Sequence, residues 1–148
     1  PGESESDLAE LERFLNGARL DAIGVFGYSD EEGTEAATYD GKLDEDVVAE
    51  RLAHISRLAE ELVSQRAEDR VGQTVRVLVE SVDEDGVYGR AEHQAPETDG
   101  QVLLTSGAGL RIGRMVEAKV VGTEGVDLVA EPLQGSLTSP AWSEEAGR

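Results

Sequence analysis

From Arg70 to Glu131 the chain is written as short runs of Val and Leu, interrupted every few residues by Gly, Asp or Pro. That punctuation leaves no room for a long helix and describes an all-β unit. The runs are Thr74 to Val82, Val87 to Ala91, Gly100 to Leu104, Met115 to Val121 and Val126 to Ala130. In the first, Val75, Val77 and Val79 alternate with Thr74, Arg76, Leu78 and Glu80, so one face meets a core and the other meets water. Asp85-Gly86 closes this run onto the next as a hairpin, glycine supplying the positive φ of a tight connection. Five short antiparallel strands so spaced predict an OB-like barrel that closes on itself and leaves few free edges.

Upstream the period becomes helical, and the change near Ala67 divides the chain: residues 1–66, a barrel over 67–133, and a disordered tail from 134 to 148, rich in Gly, Ser, Thr and Pro. The fold class is α+β. Ser4 and Ser6 can cap a helix beginning near Asp7, with Leu8, Leu11, Phe14, Leu15 and Ala18 on one face and Asn16-Gly17 loosening its end. Ala22 to Phe26 reads as a single buried strand. A helix followed by a lone strand is half of an α/β repeat, which implies partner strands upstream. Asp44 opens a second helix reaching about Gln65, its apolar stripe set by Val48, Leu52, Ile55 and Leu62.

The formal net charge is −19. Within 70–131, six basic residues face eleven acidic ones, a net of −5. Neutralising phosphate supplies most non-specific affinity for nucleic acid, so a barrel with this balance suits a basic protein better than RNA. The competing reading is that acidity only keeps the chain in solution. No cysteine is present, which excludes disulfides, thiolate-bound zinc and iron-sulfur clusters held by this chain. Two isolated histidines, His54 and His93, do not make a transition-metal site. No apolar run approaches the length of a membrane span, so the expectation is a soluble, cytoplasmic protein without a membrane partner.

Three motifs invite sharper readings. Asp83-Glu84-Asp85-Gly86 lacks the alternating ligands and distal Glu of a calcium loop and is a hairpin turn, and Asp30-Glu31-Glu32 is a solvated turn for the same reason. Gly107 to Gly113 misses the dinucleotide fingerprint by one residue and has no helix after it. The polar loop from Gly89 to Gly100 is long for a small barrel, which makes it a place for recognition.

Taken together, these stretches resemble the C-terminal part of the radical-SAM methylthiotransferases, closest to the branch that modifies a ribosomal protein. Pro1-Gly2-Glu3-Ser4 resembles the family's Gly-Phe-Pro-Gly-Glu-Thr stretch, entered partway. Val25-Phe26-Gly27-Tyr28-Ser29, Glu32-Gly33-Thr34 and Ala36-Ala37 resemble its Tyr-Ser…Gly-Thr-x-Ala-Ala segment, and Arg70 to Glu131 its TRAM domain. The branch-specific words are Gly89-Arg90, Ala95-Pro96-Glu97-Thr98-Asp99-Gly100 and Asp127-Leu128-Val129.

The resemblance implies a full-length enzyme that uses S-adenosylmethionine and two iron-sulfur clusters. This chain, without the cluster cysteines, would bind no cofactor, contribute no catalytic residue or metal ligand, and be inactive alone. It also implies that Ala22 to Phe26 closes a partial parallel barrel, and that Pro1, Gly2, Glu3, Phe26 and Tyr28 line the S-adenosylmethionine site through backbone and packing contacts. The acidic balance then favours the branch that methylthiolates an aspartate of the basic small-subunit ribosomal protein S-twelve. Asp83, Glu84, Asp85, Arg90, Glu92, Glu97 and Asp99 are the residues expected to dock it. The alternative is an RNA-binding TRAM module of a transfer RNA methylthiotransferase, which requires Arg70, Arg76, Arg90, Arg111 and Arg114 to gather on one face.

Overall fold

The computed structural model describes residues 1–96, 99–107 and 109–138, the last five of these by their backbone alone. They form two compact units, Pro1–Val63 and Ser64 onward.

In the first unit, α1 (Glu5–Ala18) starts on a reciprocal cap: Asp7 N–H donates to Ser4 Oγ, and the Asp7 carboxylate accepts from Ser4 N–H at 2.7 Å. The helix continues through Gly17, and Arg19 takes the left-handed conformation at its end, φ 51°. A single 3-10 turn follows at Ala36–Thr38. Next comes α2 (Glu45–Glu68), whose first intrahelical bond runs from Val48 N–H to Asp44 O. The division between the units falls inside α2, a few residues before the predicted boundary at 66.

Ala22 to Phe26 is not a buried strand: it has no regular secondary structure, Ile23 and Val25 are half-buried, and Phe26 is 92% exposed. A strand exists only where a neighbour takes its hydrogen bonds, and none of the described residues pairs with this one.

The second unit is a closed barrel in the order β1-β2-β3-β5-β4, formed by β1 (Thr74–Val82), β2 (Val87–Ala91), β3 (Val102–Leu104), β4 (Met115–Glu124) and β5 (Asp127–Thr138). Four of the five seams are antiparallel, as predicted, but β3 and β5 run parallel, Val102 to Leu104 beside Leu128 to Ala130. That parallel seam closes the barrel. β5 continues to Thr138, beside Met115, so residues 134–138 are strand where the composition predicts tail. Residues 139–148 lie outside the described set.

Val77, Val79, Val102, Val116, Val120 and Leu128 fill the interior with Ala91, Ala118 and Ala130, and Ala67 from the end of α2 joins them. Five strands enclose less width than the roughly eight that just admit larger side chains, which explains a described core of Val, Ala and Leu without aromatic residues. Gly89 marks the tightest point: a Cβ there would lie 2.1 Å from Leu78 O, next to a bulge between Val79 and Ser81.

Candidate functional site

The acidic residues predicted to dock a basic partner sit on two connections, and β2 separates them. A strand carries the loops at its two ends apart by its own length, about 13 Å for five residues. Asp83, Glu84 and Asp85 lie where β1 turns into β2, at the same end as the β3–β4 connection. Glu92 and Asp99 lie at the opposite end, beside the β4–β5 turn. Glu97 is outside the described residues. The structure therefore does not bring the acids into one patch.

Two of these carboxylates already have work within their loops. Asp83 Oδ1 accepts from the N–H groups of Asp85 (3.0 Å) and Gly86 (3.2 Å), which shapes the hairpin turn. Asp99 Oδ2 accepts from Ala95 N–H at 2.8 Å. Around it, the buried Gln94 accepts from Ala91 N–H at 2.9 Å and turns its amide toward the carbonyls of Asp99 and Gln101, both at 3.4 Å. Asp127 then clasps the loop from the next connection, accepting from Gln101 N–H at 2.8 Å. Arg90 is paired with Glu80 at 2.7 Å. What remains outward at the two ends is Glu84 and Asp85 on one and Glu92 on the other, exposed carboxylates without an intramolecular partner among the described residues.

The basic residues are not gathered either. Arg76 stands opposite Glu117 across the β1–β4 seam, and Lys119 stands opposite Glu131 across β4–β5. Arg70 lies before β1, while Arg111 and Arg114 lie in the β3–β4 connection, at the other end of the barrel. At these two seams each cation faces an acid.

In the first unit, Gly2 N–H donates to Gly41 O at 2.7 Å. Glu3 is held by Arg51, whose guanidinium also reaches Glu5. The Tyr28 hydroxyl donates to Asp30 at 2.8 Å, and Asp30 pairs with Lys42, which donates in turn to Ala37 O. The hydrogen bond from Lys42, then that from Tyr28, holds the Asp30 carboxyl below its ordinary range, while the bond to Asp30 pushes the Tyr28 phenol up. The bonds from Ser4 likewise lower Asp7, and the Arg51 pKa is raised, first by Glu3. Gly27 lies against α2, where a Cβ would sit 3.4 Å from Val48 and Leu52.

Among the residues expected to line a cofactor site, one oxygen of Glu3 and the hydroxyl of Tyr28 are engaged within the unit, and the ring of Phe26 is open. Sequence reasoning did not single out Arg51. Its partners are 46 and 48 residues away, and no local pattern announces them.

Residues 71–133 match the family model of the TRAM domain. Over 100% of its length the chain is 85% identical to the ribosomal protein uS12 methylthiotransferase RimO of Streptomyces coelicolor, covering 30% of that protein. The protein of the same name from Streptomyces avermitilis is 81% identical, again over 100% of this chain and 30% of its own. That of Saccharopolyspora erythraea is 62% identical over 94% of this chain and 29% of its own. The resemblance read from the motifs is borne out, both for the TRAM barrel and for the ribosomal-protein branch. The chain spans about 30% of the length of the curated relatives it matches.

Proposed function

We propose that this chain is the C-terminal portion of an enzyme that methylthiolates an aspartate of the small-subunit ribosomal protein uS12 in the cytoplasm, and that its barrel takes part in recognising that substrate. The observation that carries the reading is the 85% identity, over all of this chain, to a protein named for that activity. S-adenosylmethionine and iron-sulfur clusters supply the chemistry when bound. This chain, without cysteine, contributes no cluster ligand, and it presents the edge at Pro1, Gly2 and Glu3 and the ring of Phe26 to the S-adenosylmethionine site. Alone it is inactive.

The barrel's part is electrostatic. Glu84 and Asp85 at one end, and Glu92 at the other, attract a cationic polypeptide and steer its approach more than they add affinity. The acids opposite Arg76 and Lys119, and the placing of Arg70 away from Arg111 and Arg114, support a protein partner over transfer RNA, which asks for a continuous positive surface.

The test uses the complete protein with its clusters reconstituted. It is expected to add one methylthio group to an aspartate of uS12, read by mass spectrometry; modification of transfer RNA with none of uS12 would overturn the reading. Glu84→Lys with Asp85→Lys is expected to slow association with uS12 about tenfold at low salt, with the difference shrinking as salt rises. Glu92→Lys tests the other end separately. An unchanged rate in both variants removes the docking role from these acids.

A further inference from the structure

Residues 1–4 have no regular structure, and Gly2 has φ 78°, so little in the local backbone dictates their course. Three ties determine it. Ser4 is locked into the cap of α1, Gly2 N–H is bound to Gly41 O, and Arg51 reaches over from α2. The third is of a different kind. Arg51 Nη1 donates to Glu3 Oε1 at 2.5 Å and Nη2 donates to Glu5 Oε1, so one planar guanidinium spans both carboxylates.

Its side chain is only 12% exposed, whereas Glu5 is 85% exposed. The two carboxylates hold the guanidinium between them, in one plane and at the edge of the unit. Glu5 is the first residue of α1 and Glu3 the last charged residue before the cap, so the guanidinium grips the chain on both sides of Ser4.

We infer that Arg51 is a positioning residue for the S-adenosylmethionine site: by holding Glu3 and Glu5 together it sets the path of Pro1-Gly2-Glu3, the edge presented to the cofactor. The inference rests on the reading of residues 1–3 proposed above. Arg51 does not touch the cofactor in this scheme. It acts by fixing a backbone edge whose displacement by a fraction of an ångström alters every hydrogen bond made to it. Lysine cannot replace it, because a single ammonium on a flexible stem does not span two carboxylates in one plane.

The complete protein carrying Arg51→Ala or Arg51→Lys is compared with wild type by equilibrium dialysis against S-adenosylmethionine, with no reductant and hence no turnover. Arg57→Ala, an exposed site on the same helix, is the control. Arg51→Ala is expected to weaken binding about tenfold and Arg51→Lys nearly as much, while Arg57→Ala changes nothing. In the 148-residue chain, hydrogen exchange at Gly2 N–H is expected to speed up in both Arg51 variants. A role confined to folding would instead lower the melting temperature and leave the dissociation constant of the Lys variant at the wild-type value; that result overturns the proposal.

Phe26→Ala, at an open ring, separates the two layers of argument. If Phe26→Ala weakens binding and neither Arg51 variant does, the positioning role falls while the cofactor-facing reading stands. If none of the three changes the affinity, both fall together.

Discussion

In the barrel, Val, Leu and Ala from all five strands close over one another until most of their side chains are out of water. In residues 1–63 fewer of the described apolar residues do so: Leu15, Ile55 and Ala59 are buried, against thirteen in the second unit, although each unit keeps six large apolar residues exposed, here Leu11, Phe14, Leu20, Phe26, Tyr28 and Tyr39. That unit also carries side-chain pairs at its surface: Arg51 with Glu3 and Glu5, Lys42 with Asp30, and a hydrogen bond between His54 and Glu12 at 2.7 Å. The lesson is about sufficiency. A closed sheet meets its own burial and hydrogen-bonding demands, and an apolar run without a strand partner does not.

The sharpest way to break this contrast is inside the barrel. Gly89→Ala would press a Cβ to 2.1 Å from Leu78 O, a backbone atom that cannot rotate aside. The expected loss is at least about 3 kcal/mol, with the strand register forced to shift. Denaturant unfolding followed by the amide signals of β1 and β2 measures it; a variant within about 1 kcal/mol of wild type would mean that the barrel wall is far more yielding than its geometry implies.

A matched pair of truncations comes next. Leu128→Ala removes a side chain 1% exposed from the barrel core and is expected to cost about 3–4 kcal/mol, because the surrounding strands are hydrogen-bonded on both sides and cannot collapse into the space. Ile55→Ala removes one 4% exposed on α2 and is expected to cost nearer 2 kcal/mol, since helices with open apolar surface around them can shift to fill it. Equal costs would erase the distinction between the two units, and a larger cost at Ile55 would invert it.

Legibility from sequence divides along the same line. The barrel was readable because its signals are local: alternation in Thr74 to Glu80, and an Asp-Gly turn leading to Val87. Its parallel β3–β5 seam was not, because it joins residues 26 apart and depends on how the sheet closes. The continuation of β5 to Thr138 was masked by a Gly-Ser composition typical of tails, since pairing with Met115 and Val116 is a tertiary fact. Ala22 to Phe26 went the other way: the apolar run is real, but a strand needs partners that the run cannot supply. Among the residues proposed to dock a partner, the separation of Asp83–Asp85 from Glu92 and Asp99 follows from strand direction alone, so it was legible once β2 was placed between them. The engagement of Asp99 and Asp83 by backbone N–H groups was not legible, nor was the grip of Arg51 on Glu3.

Acid offers the gentlest test of the comparison. The Asp7 and Asp30 carboxyls are held below the ordinary aspartate value of 3.8, Asp7 chiefly by Ser4 and Asp30 chiefly by Lys42. Folding thus favours their ionised forms. The stability they contribute is fully present well above pH 3.8, where the unfolded chain is ionised as well, and it is lost as pH falls below that value through the lower folded-state values. The described barrel core contains no titratable side chain, only Gln94 as a buried polar group. Lowering the pH through and below 3.8 is expected to broaden the amide signals of α1 and of residues 28–42 before those of β1 and β4 change. Replacing Asp30 by Asn should flatten the 28–42 response and leave that of α1, which depends on Asp7 and Ser4. Loss of both units at one midpoint would mean that carboxylates outside these two groups set the acid limit, and that the barrel is no more independent of ionic contacts than the helices before it.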